Sequence, residues 1–247
     1  MLNINWCIDY LKKYNHINQN LEYNWPTLRA LLNITMPYNL SDEFYDKQDE
    51  VIKDIISKKE IFDVEELNDG ISLYKGDITL IKADAIVNAC NNKLLGCFIP
   101  GHHCIDNAIH SYAGLEVRRD LMKVMEEQVY DEPNGRCKVT KAYNLPSKYI
   151  FHTVGPVYSG SKQDALDLES CYLSCLKMAD KMELNSIVFC SLSTGIFGFP
   201  IEKASEIAIK TVKKYLESEN KNIKKVIFNV FSDGDYDVYK RKIKEIN

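Results

Sequence analysis

Apolar positions along the chain change their spacing once, near residue 67. In residues 1–67 they recur at helical intervals. Ile4, Cys7, Leu11 and Tyr14 lie on one stripe, with Trp6 and Tyr10 beside it, and predict a first helix. Pro26 suits the first turn of a second short helix. Phe44, Val51, Ile52, Ile55 and Ile56 mark a third, opened by Ser41 with Asp42 and Glu43 in its first turn. From residue 68 onward the pattern becomes strands alternating with helices. The apolar runs predict strands at 71–75, 84–89, 138–144, 148–154, 186–191 and 225–231. The stripes between them predict helices at about 105–112, 115–128, 164–182, 201–217 and 235–245.

The later strands are almost unbroken apolar runs, as in SIVFCS and KVIFNVF, which implies cover on both faces. The expected architecture is therefore a three-layer α/β/α sandwich with a mixed, mostly parallel sheet, preceded by a helical extension over 1–67. In such sheets ligands bind beyond the carboxyl ends of the strands, so the loops there are the place to look for chemistry.

Composition narrows the setting. A chain of 247 residues with 45% hydrophobic residues is able to bury a core without staples. The net charge of −4 and the lack of a long basic run argue against non-specific nucleic-acid binding. The N-terminus MLNINWCIDYLKKYN has no secretory pattern, and no apolar run is long enough to span a bilayer. The expected location is the cytoplasm, with eight mostly free cysteines, no membrane partner and a monomeric state. Cys90, Cys171, Cys175 and Cys190 lie in strand or helix patterns and read as small core residues.

Three loops after expected strands carry the candidate chemistry. In Gly76-Asp77-Ile78-Thr79, Asp77 either caps a short helix or accepts a hydrogen bond from an exocyclic amine such as that of adenine. The second runs from Asn88-Ala89-Cys90-Asn91-Asn92 into Gly96-Cys97-Phe98-Ile99-Pro100-Gly101-His102-His103-Cys104. Its asparagines either close the strand or face a ligand. Cys97, His102 and Cys104 place two thiols and an imidazole within eight residues, a donor set that suits Zn2+, and Pro100-Gly101 supplies the bend. The alternative is a pair of buried thiols and a surface histidine. Three protein ligands would leave one coordination position open, as in catalytic sites. Neighbouring side chains point apart, and His102 is preferred to His103. Asp106 opens the next helix, where its charge is favoured by the dipole, or where it serves as a base beside a metal. His110 reads as a packing histidine. The third loop, Ser191-Leu192-Ser193-Thr194-Gly195-Ile196-Phe197-Gly198, is either a tight turn or a cradle of backbone amides for a diphosphate.

The succession GDIT, IVNACNN, DNAIH and STGIFGFP resembles the macrodomain fold over residues 68–247. The insertion GCFIPGHHCIDNAIH resembles that of zinc-dependent macrodomains, a class of protein ADP-ribosyl hydrolases. The resemblance implies removal of mono-ADP-ribose from modified protein side chains, with Zn2+ as cofactor, ADP-ribose as ligand or product, and an ADP-ribosylated protein as partner. It implies that Asp77 and Ile78 meet adenine, and that Asn88 and Asn91 line the distal ribose. Ser193, Thr194, Gly195, Ile196 and Phe197 would wrap the diphosphate and the distal ribose. Cys97, His102 and Cys104 would hold zinc. Asp106 would sit against the distal ribose, Cys104 and Ile105 would also contact the substrate, and Asp106 and Asn91 would be catalytic. Phe231 would stack on adenine. Competing readings are a module that binds ADP-ribose without cutting it, an esterase for acetylated ADP-ribose, and a scaffold whose N-terminal helices bind another protein.

Overall fold

The computed structural model describes residues 2–67 and 70–246. The expected boundary between 67 and 68 therefore has Asn68 outside the described residues. Three helices come first: α1 (Leu2–Tyr14), α2 (Trp25–Ile34) and α3 (Asp42–Ser57). Asn24 caps α2 through a bond from the Thr27 amide, with Pro26 in the first turn, and Ser41 caps α3. Their shared core holds Cys7, Ile8, Leu11, Leu28, Leu32 and Phe44. The buried stripe of α1 is Cys7, Ile8 and Leu11, while Ile4 and Tyr14 lie at its half-buried edges.

The remainder contributes β1 (Phe62–Asp63), β2 (Gly70–Lys75), β3 (Ile81–Lys82), β4 (Ala85–Cys90), β5 (Cys137–Lys141), β6 (Tyr149–Val154), β7 (Ser186–Cys190) and β8 (Lys225–Val230). The helices between and after them are α4 (Ile105–Ala113), α5 (Leu115–Gln128), α6 (Lys162–Lys181), α7 (Ile201–Ser218) and α8 (Asp233–Ile246). One sheet has the order β2-β8-β7-β4-β6-β5, parallel except for the antiparallel edge strand β5. Every residue of β7 and β8 is buried, so both faces are covered by helices and the three-layer α/β arrangement holds. Tyr172, Phe189, Phe228 and Tyr239 form the aromatic centre of this core, with Tyr172 and Phe189 ring centroids 4.9 Å apart.

Two features depart from the sequence expectation. The strand expected over 138–144 ends at Lys141, because the Ala142 amide turns to the Lys148 carbonyl and Tyr143 takes φ 52°. The two-residue strands β1 and β3 pair with each other apart from the main sheet, through Phe62↔Ile81 and Asp63↔Lys82. They are too short for an apolar period to register. All eight cysteines are free, and Cys90, Cys171, Cys175 and Cys190 are buried as expected. Among the described residues, no helix is long and apolar enough to cross a membrane.

Five parallel strands send their carboxyl ends to one edge, which gathers the segments after Lys75, Cys90, Val154, Cys190 and Val230. From β4 the sheet grows one way to β6 and β5 and the other way to β7, which makes β4–β7 the point where strand order reverses. Their registered pairing stops at Ala85↔Ile187 and Ile86↔Val188. Val87 to Cys90 thus have no ladder partner on β7, and the β4–β7 ladder ends toward the edge where a crevice is expected.

Candidate functional site

Two loops leave that edge of the sheet. The first leaves β4 at Asn91 and reaches α4 at Ile105. Asn91 braces its start, donating to the Gly96 carbonyl at 3.1 Å and accepting from the Lys93 amide at 2.9 Å. Gly101 has φ +65° and turns the chain after Pro100. That turn brings the ligand atoms of Cys97, His102 and Cys104 within 4.8 Å of one another. Tetrahedral zinc ligands at about 2.0–2.3 Å from the ion lie roughly 3.3–3.8 Å apart. Cys97 Sγ and His102 Nδ1 are 3.5 Å apart, within that range. The donors are soft, half-buried and three in number, so the residues fit a zinc ion with one open position. His103 is exposed.

Cys104 is also the N-cap of α4, its Sγ accepting from the Asn107 amide at 3.4 Å. Burial pushes its thiol up to about 11, so the proton has to leave for a metal to bind. The helix N-terminus and that amide favour the thiolate once formed.

Asp106 lies in the first turn of α4 and is 5% exposed. Burial pushes its carboxyl up to about 6, against the pull of the Asn88 hydrogen bond and the Arg118 charge. Asn88 Nδ2 donates to Asp106 Oδ1 at 2.8 Å and lies 3.3 Å from His152 Nδ1. The other ring nitrogen of His152 is 2.9 Å from Thr140 Oγ1. Burial lowers His152 to about 3, so the ring is neutral and one nitrogen is an acceptor. His110 Nε2 is 3.4 Å from Asp106 Oδ1. Burial holds His110 well below its usual value, and both its ring nitrogens lack a hydrogen-bond partner. Local sequence gave no sign of this network, except that His152 interrupts an apolar strand run. Ile105 is half-buried beside Asp106.

The second loop joins β7 to α7. Ser193 takes φ +63° and its buried Oγ is unpartnered. Thr194 Oγ1 donates to the Ser191 carbonyl, while the Gly198 amide donates to Gly195 and the Phe199 amide to Ser193. Gly195 and Ile196 are exposed, and Phe197 is half-buried with its carbonyl accepting from the Tyr158 amide. At the far end of the edge, Asp77 Oδ1 accepts from both the amide and the hydroxyl of Thr79, capping a short turn at Ile78–Leu80. Ile78 is buried. Phe231 follows β8 and is 83% exposed. The structure thus places the zinc-type donors on the loop that joins β4, which carries Asn88, to α4, which carries Asp106, and sets Asp77, the Ser193–Phe197 loop and Phe231 along the same sheet edge.

The mixed, mostly parallel sheet with helices on both faces and paired loops at its reversal point defines the α/β class of the fold. The macro domain family model matches residues 87–208. A protein-ADP-ribose hydrolase of Staphylococcus aureus (strain MRSA252) is 44% identical over 223 residues, covering 87% of this chain and 83% of that protein. A Trypanosoma brucei macrodomain solved in complex with ADP-ribose is 30% identical with TM-score 0.66, covering 86% of this chain and 94% of that one. An Oceanobacillus iheyensis macrodomain mutant solved with ADPR is 35% identical with TM-score 0.65, covering 70% and 91%. The chain belongs to the macro domain family.

Proposed function

We propose that this protein is a zinc-dependent hydrolase that removes mono-ADP-ribose from modified protein side chains. The observation that carries the reading is the convergence of Cys97, His102 and Cys104 two residues from Asp106, at the sheet's reversal point. The likeness to protein-ADP-ribose hydrolases supports the reaction class. In this reading residues 1–67 are a helical extension and residues 68–247 the macrodomain that carries the cleft.

ADP-ribose lies across the crevice. Asp77 Oδ1 is committed to Thr79, which leaves Oδ2 to accept from the adenine amine, with the Ile78 amide beside it. Phe231 offers an exposed ring face for the base. The amides of Ser193, Thr194, Gly195, Ile196 and Phe197 hold the diphosphate, since consecutive amides at a strand–helix turn form an anion cradle. Asn88, Asn91, Cys104, Ile105 and Asp106 surround the distal ribose. Fixing both ends of the ligand sets the anomeric carbon in place for attack. Cys97, His102 and Cys104 hold the zinc, which supplies Lewis acidity for cleaving the bond to the protein side chain. As water attacks the anomeric carbon and the bond to the protein side chain breaks, Asp106 takes the proton from that water and passes it to the departing side chain, and Asn88 keeps the carboxylate aimed. Asn91 holds the first turn of the loop and presents its remaining N–H to the ribose.

The test is release of ADP-ribose from a mono-ADP-ribosylated protein by the parent, by chelator-treated parent and by Cys104→Ala. The expected result is turnover by the parent alone. Full turnover in all three removes zinc from the reaction; tight ADP-ribose binding with no release in any of them makes the protein a reader of the mark.

A further inference from the structure

The 97–104 loop has little apolar burial of its own. Phe98 is 40% exposed and Ile99 58%, while Pro100 and His103 are exposed. Its main chain is instead held from one side by α2 of the N-terminal extension. Arg29 Nη2 donates to the His102 carbonyl at 2.9 Å and to Asn107 Oδ1 at 2.8 Å. Asn33 Oδ1 accepts from the Gly101 amide at 2.9 Å, and Asn33 Nδ2 donates to Ser111 Oγ at 2.9 Å. Asn107 Nδ2 in turn donates to the Ile99 carbonyl at 3.0 Å. Asn33, Asn107 and Ser111 are buried and Arg29 is half-buried, so these bonds are partly sheltered from water, and the Asn33–Ser111 bond fully.

We infer that Arg29 and Asn33 are positioning residues for the metal: α2 sets the loop geometry that makes Cys97, His102 and Cys104 converge. The inference rests on the zinc reading above. Three ligands within eight residues converge only for a narrow set of backbone angles at 100–103. The two clamps fall on the amide of Gly101 and the carbonyl of His102, which bracket the peptide plane from which the His102 ring departs. Without them the loop is free to sample other shapes, and the ion has to order it on binding. Supports of this kind behind metal ligands change affinity by about 10- to 100-fold. The helix itself is anchored elsewhere, by its Asn24 cap and by Leu28, Leu31 and Leu32 in the extension's core. Loop positioning and extension stability are therefore separable.

The experiment measures zinc affinity of the full chain by competition with a chromophoric chelator, and the cobalt–thiolate charge-transfer spectrum after substitution with Co2+. Arg29→Met with Asn33→Ala is expected to keep the parent's circular dichroism and one-to-one stoichiometry but to bind zinc about 10- to 100-fold more weakly, with a changed cobalt spectrum. Arg29→Lys, which keeps one donor, recovers part of the loss. Leu28→Ala lowers the melting temperature yet leaves zinc affinity unchanged. Should the double variant unfold, Arg29→Met alone serves, since Arg29 is only half-buried. Parent-like affinity in the clamp variants overturns the inference and leaves the zinc reading standing. A parent that takes up no zinc overturns both.

Discussion

Asn88 Nδ2 donates to Asp106 Oδ1 at 2.8 Å, and the same amide nitrogen faces the neutral ring of His152 at 3.3 Å. Both hydrogens of the amide are thereby assigned to acceptors, and Asn88 Oδ1 is left buried without a partner. The amide cannot flip without setting its oxygen against the Asp106 carboxylate. Asn88→Ala is expected to lower kcat/KM for ADP-ribose release by about 100-fold, because the carboxylate loses its aim. Asp106→Asn is expected to cost 10²- to 10⁴-fold, roughly the range for a positioned proton acceptor. Its melting temperature should be no lower than the parent's, since it removes a buried carboxylate that neither His110 nitrogen hydrogen-bonds. Turnover near the parent's in Asp106→Asn would take Asp106 out of the reaction.

Gly195 and Gly198 share a loop but answer to different constraints. Neither has an atom within 4 Å of a built Cβ, yet Gly198 has φ +67° and Gly195 has no positive φ. Gly195→Val is then expected to fold with an unchanged melting temperature and to weaken ADP-ribose binding by at least tenfold, because its side chain enters the space beside the proposed diphosphate. Gly198→Val takes on the left-handed strain of a branched residue and is expected to lose about 1–2 kcal/mol of stability. Calorimetric titration with ADP-ribose and denaturant unfolding separate the two. Unchanged affinity in Gly195→Val would place the diphosphate elsewhere.

The strand and helix periods were legible because burial on β7 and β8 is complete and the stripe of α3 is regular. Ser41 and Pro26 marked their helix starts for local reasons that no tertiary contact overrides. The antiparallel direction of β5 was not legible, since an apolar run carries no direction. Cys97, His102 and Cys104 were readable as a group because they lie on one short loop whose Pro-Gly bend is itself local. The supports of that loop were not. Arg29 lies 73 residues from His102 and Asn88 64 from His152, and no periodicity links such pairs. His110 read as a packing histidine; it is buried in contact with Asp106, a position set by α4 packed against β4.

Glu116 gives the protein an alkaline weakness. It is 5% exposed where α5 meets α3, hydrogen-bonded to Gln48 at 2.8 Å. Burial, with the nearby Asp49 charge, raises its carboxyl to about 8. An acid raised on folding binds its proton in the native state while the unfolded chain has released it, so stability falls as pH climbs toward the folded value. His152 and His110 act in the opposite sense through their unfolded value of 6.5, so their contribution fades only by about pH 7.5, and that of Asp106 fades about one pH unit above 6. Above about pH 7.5 the slope from these buried groups belongs mainly to Glu116, whose own contribution is at most about 1.4 kcal/mol per pH unit. Denaturant unfolding at pH 6.5 and 8 is expected to show the loss in the parent and to show it largely removed in Glu116→Gln. Equal slopes in both would assign it to another group.

Arg118 ties the three N-terminal helices to the part of the chain that carries the sheet. It is 1% exposed, and its Nη1 donates to the carbonyls of Leu32 at 2.9 Å and Thr35 at 2.5 Å, while Nε donates to Leu95 at 2.7 Å. Its guanidinium also covers the Phe98 ring at 4.5 Å, so one side chain touches the end of α2, the start of the ligand loop and its tip. Burial lowers its pKa only to about 10, so it stays charged and needs every acceptor it has. Arg118→Met leaves those carbonyls unpaired and is expected to cost about 3 kcal/mol, or roughly 6–12 °C in melting temperature. Arg119→Met, which loses a half-exposed contact with Asp120, should stay within about 1 kcal/mol. Removing residues 2–58 deletes two of Arg118's acceptors and bares Leu115, which packs in the extension's core. The truncated chain is expected to lose most of its soluble yield and its zinc affinity together. A truncated chain that stays folded, binds zinc as tightly as the parent and hydrolyses at the parent's rate would show that the extension serves neither the core nor the site, and would leave it as a surface for some other protein.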